Sequence, residues 1–206
     1  MSAPICGVGV PAWLHQRECV GVYVPPAIVR SSGLSSRFSR PQPPAWANRY
    51  HRLTFGKLGA LSMTQFDKVF VFDNDMALAK NVDHLAFAPT PSAVWHTAMA
   101  NWQWRHNESC SVTTGLLGLT PSASEYARAL RHLHSMGNRS VYDGGDQEFW
   151  RHFYTWHELP LRYHAHQAIN MRPAEWHQVR LIHSISALRE VNRIPKDMRH
   201  LYKYFY

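Results

Sequence analysis

Two textures divide the chain. Residues 1–46 hold no sustained alternation or helical period. Pro25-Pro26, Ser31-Ser32-Gly33, Ser35-Ser36 and Pro41-Gln42-Pro43-Pro44 interrupt every apolar stretch, which predicts an irregular, poorly ordered segment. One short apolar run, Val20 to Val24, is long enough for a strand, but Gly21 weakens it and Pro25 ends it. From residue 47 to 206 the pattern is orderly and predicts a folded domain. Leu58, Leu61 and Gln65 recur at helical spacing within a helix expected over Leu53 to Phe66. Val69-Phe70-Val71-Phe72 is an unbroken apolar run, the pattern of a strand covered on both faces in a parallel sheet. Further strands are expected at Ala93 to Trp95, Val112 to Leu119 and Val179 to Ile182, and a short helix at Asn81 to Phe87. Thr120 as N-cap and Pro121 at the first helical position open a helix whose apolar face is Tyr126, Ala127, Leu130 and Leu133. Another helix is expected from Asp146 to Tyr154. Strands alternating with helices predict an α/β fold.

Composition narrows the classes. The chain has 206 residues and 45% hydrophobic residues, enough for one domain with a real core. Its formal charge of +8 is uneven: residues 1–50 carry five Arg and one acid, whereas residues 51–206 carry 17 basic and 13 acidic residues. The ordered part is only mildly basic, which suits a phosphate-bearing small substrate, and no RNA-recognition or zinc-finger signature is present. Three cysteines without CxxC spacing predict free thiols in a reducing compartment, the cytoplasm being favoured, with the Arg- and Ser-containing, acid-poor N-terminus leaving a transit peptide as the alternative. No apolar run reaches the ~20 residues of a membrane span, and no signal-peptide pattern opens the chain.

The candidate chemistry lies at element ends. Asp73-Asn74-Asp75 directly follows the apolar strand, where α/β proteins bind ligands, and two carboxylates one residue apart can face one hard cation. A polar turn is the competing reading. In Asp143-Gly144-Gly145-Asp146-Gln147, two glycines permit a tight turn, and the acids and amide are suited to sugar hydroxyls. A plain turn with a helix cap explains the same residues. His183 ends the last apolar strand, and neutral imidazole suits Mn²⁺ beside carboxylates, though it is one of 14 histidines. Trp95, His96, Trp102, Trp104 and His106 match no zinc spacing.

Taken in order, Phe55-Gly56-Lys57-Leu58, the strand with Asp73-Asn74-Asp75, Lys80-Asn81-Val82-Asp83, Thr113-Thr114-Gly115, Asp143-Gly144-Gly145-Asp146-Gln147 and His183 resemble glycosyltransferase family 8, the glycogenin-like enzymes. The resemblance runs from about residue 49 to 190. It implies a GT-A (Rossmann-like) domain that binds a UDP-sugar and a divalent cation, usually Mn²⁺, and transfers the sugar to a glycan or protein acceptor with retention of configuration. It implies Asp73, Asp75 and His183 as metal ligands and Asp143, Asp146 and Gln147 as residues facing the transferred sugar. Lys57, Asn74, Thr113, Thr114, Gly115, Gly145 and Arg189 are the implied donor-binding residues. The chain departs from the family at Thr113, where Asn is usual, and at Ser186 and Arg189, where Gly and Lys are usual. The family's first strand and helices have no counterpart in residues 1–46, so the domain reads as N-terminally incomplete. That predicts an incomplete nucleotide pocket and weak transfer, and sets a catalytically impaired relative without donor binding as the alternative.

Overall fold

A computed structural model describes residues 21–23, 41–47, 49, 51–73, 75–96, 111–137, 145–166, 172–183 and 195–197. They form two mixed sheets with helices packed around them. The larger sheet has five strands in the order β1 (Gly21–Tyr23), β2 (Val69–Phe72), β5 (Ser111–Leu119), β4 (Ser92–His96) and β6 (His157–Leu159). The smaller has three: β3 (Met76–Leu78), β8 (Leu181–His183) and β7 (Ala165–His166). The helices are α1 (Ala123–Ser135), α2 (Asp146–Phe153), the four-residue α3 (Pro173–Trp176), and three 3₁₀ segments, Thr54–Ser62, Asp83–Phe87 and Leu161–Tyr163.

The apolar run of β2 is buried on both faces, but its neighbours are antiparallel: β1 on one edge and β5 on the other. Parallel pairing occurs only between β4 and β6 and between β7 and β8 among the described strands. Continuous apolarity reports burial, not strand direction, because either ladder can be covered twice. Val69 and Val71 face a core with Phe55, Leu58, Leu61, Phe149 and Trp150. Phe70 faces the opposite core with Leu85, Leu116, Tyr163 and Leu181. The run Val20 to Val24, weighed as a strand from its apolarity, supplies β1, which pairs with β2 through Gly21↔Phe72, Val22↔Val71 and Tyr23↔Phe70.

Two local expectations shift. The segment expected as a helix over Leu53 to Phe66 is a 3₁₀ helix, Thr54–Ser62, that buries Phe55, Leu58, Ala60 and Leu61. Gly56 and Gly59 within it each lower α-helix preference by about 1 kcal/mol. The helix expected to start at Thr120 starts instead after Ser122, whose Oγ accepts from the Glu125 amide at 3.4 Å. Thr120 and Pro121 remain outside the helix, and the Ser122 amide donates to the Leu61 carbonyl at 2.9 Å, joining α1 to the 3₁₀ helix. A serine followed three residues later by glutamate is a stronger start signal than threonine before proline.

Candidate metal and sugar-nucleotide site

Three chain features bring the site together where the two sheets meet. First, β2 ends at Phe72, and the Asp73 amide extends its pairing by donating to the Gly115 carbonyl at 2.9 Å. The chain then turns, with the Met76 amide on the Asp73 carbonyl at 3.2 Å, and enters the other sheet as β3. Second, β3 pairs antiparallel with β8 in a register that sets Met76 opposite His183. That register, not sequence proximity, puts His183 beside Asp75. Third, β5 slips against β4: Ala93 pairs with Leu117 and Val94 with Thr113. The residues in between, Thr114, Gly115 and Leu116, have no partner on β4, as in a bulge, and the side chains of Thr113 and Thr114 both reach the site.

The resulting cluster has a buried floor and a partly open rim. On the floor, Lys57 is buried from the 3₁₀ helix. Its Nζ lies 2.6 Å from Asp73 Oδ1 and 3.4 Å from Asp146 Oδ2, and donates to the Thr114 carbonyl at 2.9 Å. Thr114 Oγ1 also accepts from it at 3.3 Å, so four acceptors surround the three N–H donors of the ammonium. Burial alone would push the Lys57 pKa down, but Asp146 and Asp73 outweigh it and hold the ammonium above its ordinary range. Asp146, also buried, begins α2. Its Oδ1 accepts from the Thr114 hydroxyl at 3.4 Å and its Oδ2 from the Trp150 indole at 3.0 Å. Burial holds the Asp146 carboxyl above its ordinary range, against the pull of Lys57. The N-cap of α2 is Gly145, which has no side chain to offer, and the Thr54 hydroxyl accepts the Asp146 amide at 3.2 Å in its place.

On the rim, His183 Nε2 lies 3.0 Å from Asp75 Oδ1 and 3.9 Å from Asp73 Oδ2. One ligand atom from each of Asp73, Asp75 and His183 lies within 4.8 Å of the others. Ligands at about 2.1 Å from an octahedral ion stand about 3 Å apart when adjacent and about 4 Å apart when opposite. Lys57 engages Oδ1 of Asp73, which leaves Oδ2 on the side of His183. Three carboxylates against one ammonium leave two net negative charges when the imidazoles are neutral. Donor set and charge fit a divalent cation, and small rotamer changes would close the spread of up to 4.8 Å to the separation its ligands need.

Behind His183, His164 is buried, with Nε2 at 2.7 Å from His183 Nδ1 and 3.1 Å from Thr113 Oγ1. Gly115 is what lets the two rings sit there. A Cβ at that position would lie 2.3 Å from His164 Nε2 and 3.2 Å from His183 Nδ1.

Of the residues singled out from sequence, Lys57, Asp73, Asp75, Thr113, Thr114, Gly115, Asp146 and His183 converge. Gly145 caps α2, and Gln147 is half-buried in its first turn. Asn74, Asp143 and Arg189 lie outside the described residues, as do Trp102, Trp104 and His106. His164 and Thr54 were missed. His164 follows a 3₁₀ turn in a His-rich stretch with no motif, and Thr54 acts on a helix 92 residues away, so neither carried a local signal.

No family profile matches the chain. It is similar to an uncharacterized protein of Acanthamoeba polyphaga mimivirus, 25% identical over 72% of this chain and 58% of that one. It is also similar to putative UDP-glucuronate:xylan alpha-glucuronosyltransferase 3 of Arabidopsis thaliana, 25% identical over 69% of this chain and 21% of that one. UDP-glucuronate:xylan alpha-glucuronosyltransferase 1 of the same plant is 24% identical over 57% of this chain and 16% of its own length. The chain thus spans just over half of the viral protein and about a fifth of the plant ones. The similarity relates it to glycosyltransferases. No helix among the described residues is long and apolar enough to cross a membrane.

Proposed function

We propose that this chain carries the donor-binding centre of a metal-dependent glycosyltransferase of the family 8, GT-A kind, taking a UDP-sugar and passing the sugar to a glycan or protein acceptor with retention of configuration. UDP-glucuronate is the first donor to test, because the plant relatives are named for it. The observation that carries the proposal is the convergence of Asp73, Asp75 and His183 on one point beside the buried Lys57–Asp146 pair.

In this reading Asp73, Asp75 and His183 hold a divalent cation, with Mn²⁺ the first choice for two carboxylates and an imidazole. When bound, the cation supplies Lewis-acid neutralisation of the diphosphate and of the departing UDP. Lys57 fixes one oxygen of Asp73 so that the other faces the cation. Asp146, engaged by Lys57, Thr114 and Trp150, holds that arrangement rigid and sets the first turn of α2. By the family resemblance Asp143, Asp146 and Gln147 would face the transferred sugar, and Asn74, Thr113, Thr114, Gly115, Gly145 and Arg189 would complete the donor side. Preorganised groups of this kind need no rearrangement as charge develops on the leaving group.

The test is the purified chain with Mn²⁺ and a panel of UDP-sugars headed by UDP-glucuronate. Donor binding is read by calorimetry, and hydrolysis and transfer by UDP release. Mn²⁺-dependent binding with turnover supports the proposal. A folded chain that binds no UDP-sugar with Mn²⁺ present would establish the opposing reading, a relative that keeps the fold without donor binding.

A further inference from the structure

We propose that His164 is the positioning residue of the metal centre: its Nε2 accepts the hydrogen bond of His183 Nδ1–H, which leaves His183 Nε2 bare for the cation. The inference rests on the metal site proposed above and assigns a residue outside the carboxylate and imidazole ligand set.

The argument starts from His183, whose Nε2 faces Asp75 and Asp73 and whose Nδ1 faces His164 Nε2 at 2.7 Å. To ligate through Nε2, His183 must carry its proton on Nδ1. That proton has an acceptor only if His164 Nε2 is bare, which puts the proton of His164 on its own Nδ1. Thr113 Oγ1, 3.1 Å from His164 Nε2, accepts the Gly115 amide at 3.4 Å, which holds the hydroxyl beside the ring pair. With the opposite tautomers, His183 Nε2–H donates to Asp75 Oδ1, and His164 Nε2–H donates to His183 Nδ1. Both arrangements are pairs of neutral rings, so passing from one to the other moves protons within the pair and releases none.

Packing supports a built arrangement over a chance contact. His164 and His183 are both buried, their rings meet edge to face with centroids 4.5 Å apart, and Gly115 leaves the room they fill. The element order contributes as well. His164 immediately precedes β7, which pairs in parallel with β8 through Ala165↔Ile182 and His166↔His183. The strand that carries the ligand is thus held by the strand that follows its partner.

The experiment compares the full chain with H164L and H164Q. Glutamine places an amide oxygen near the location of Nε2 and can accept from His183, whereas leucine cannot. Mn²⁺ affinity is read by electron paramagnetic resonance titration, with folding checked by circular dichroism. The expected result is a rise of about 10- to 100-fold in the Mn²⁺ Kd for H164L, the range for removing such an orienting partner, with most of the affinity kept in H164Q. A second measurement does not need the variants to fold: ¹⁵N-resolved imidazole spectra of the wild-type chain with one equivalent of Zn²⁺. His183 should be protonated at Nδ1. Unchanged Mn²⁺ affinity in H164L, an equal loss in H164Q, or His183 protonated at Nε2 with Zn²⁺ bound would each overturn the proposal. A wild-type chain that takes up no Mn²⁺ removes the metal site and this inference together. Metal binding without donor binding removes only the transferase reading.

Discussion

Two polar clusters of this protein resemble each other in their hydrogen bonding and differ in charge. Glu125, Arg128 and Tyr154 make a tight set on the outer side of α1. Arg128 bonds Glu125 at 2.7 and 3.1 Å, Tyr154 donates to Glu125 at 2.8 Å, and the guanidinium lies 3.8 Å from the Phe153 ring centre. It is nearly closed on itself: one acid, one base, three residues apart on a helix. The cluster around Lys57 draws on residues from 57 to 183 and carries an excess of negative charge. A neutral, local, partly exposed pair is a surface feature of small energetic weight. A long-range cluster with unbalanced charge and a buried floor suits a further cation, which is the basis of the metal site proposed above. The number of hydrogen bonds does not separate the two; the uncompensated charge and the cost of assembling it do.

The sharpest way to break the contrast is K57M. Removing the ammonium leaves Asp146 buried beside Asp73 with no positive partner, and loss of one partner of a buried pair costs about 3–5 kcal/mol. Urea denaturation should show that loss, and adding D146N should restore part of it. An effect as small as that of a surface pair would mean that the floor is wetter than its burial states.

Next comes G115A. Its Cβ would meet His164 Nε2 at 2.3 Å and Cδ2 at 2.7 Å, so the ring pair must shift. Overpacking of this kind costs about 1–3 kcal/mol, seen as a lower unfolding midpoint, and Mn²⁺ affinity should fall with it.

D75N should separate stability from binding. The Asp75 side chain is 42% exposed, so unfolding without metal should change little, whereas Mn²⁺ affinity should fall by at least the ~10-fold expected of an orienting partner. Equal Mn²⁺ binding by calorimetry would remove Asp75 from the ligand set.

The smallest effect belongs to E125Q. It should lower stability by no more than about 1 kcal/mol at neutral pH and leave Mn²⁺ binding unchanged. Arg128 and then Tyr154 hold the Glu125 carboxyl below its ordinary value of 4.5. A depressed carboxylate contributes stability that is fully present above the ordinary value and is lost as pH falls through the lower folded one. The difference between wild type and E125Q should therefore close as pH drops below about 4.5. A gap that persisted in acid would point to packing as its source.

The sequence by itself determined the local pieces. Four consecutive apolar residues made β2 a strand buried on both faces. Asp73 and Asp75 stood at its end, and Asp146 stood at the start of a helix whose apolar residues Phe149, Trp150 and Phe153 recur at helical spacing. These are properties of neighbouring residues, and period and burial follow from them directly. The tertiary structure alone decided everything that depends on pairing. β2 is antiparallel to both neighbours, since an apolar run is silent about direction. His183 reaches Asp75 because β3 and β8 pair in the register Met76↔His183; one residue of slip would turn its side chain to the other face. Thr113 and Thr114 reach the site from a stretch of β5 that slips against β4, and Gly115 there leaves room for the His164 and His183 rings. His164, one histidine among 14, and Thr54, which caps a helix 92 residues away, act through contacts that exist only once the sheets are built. No window of neighbouring residues can hold that information, because the free energy that places them comes from strands and cores far apart in the chain.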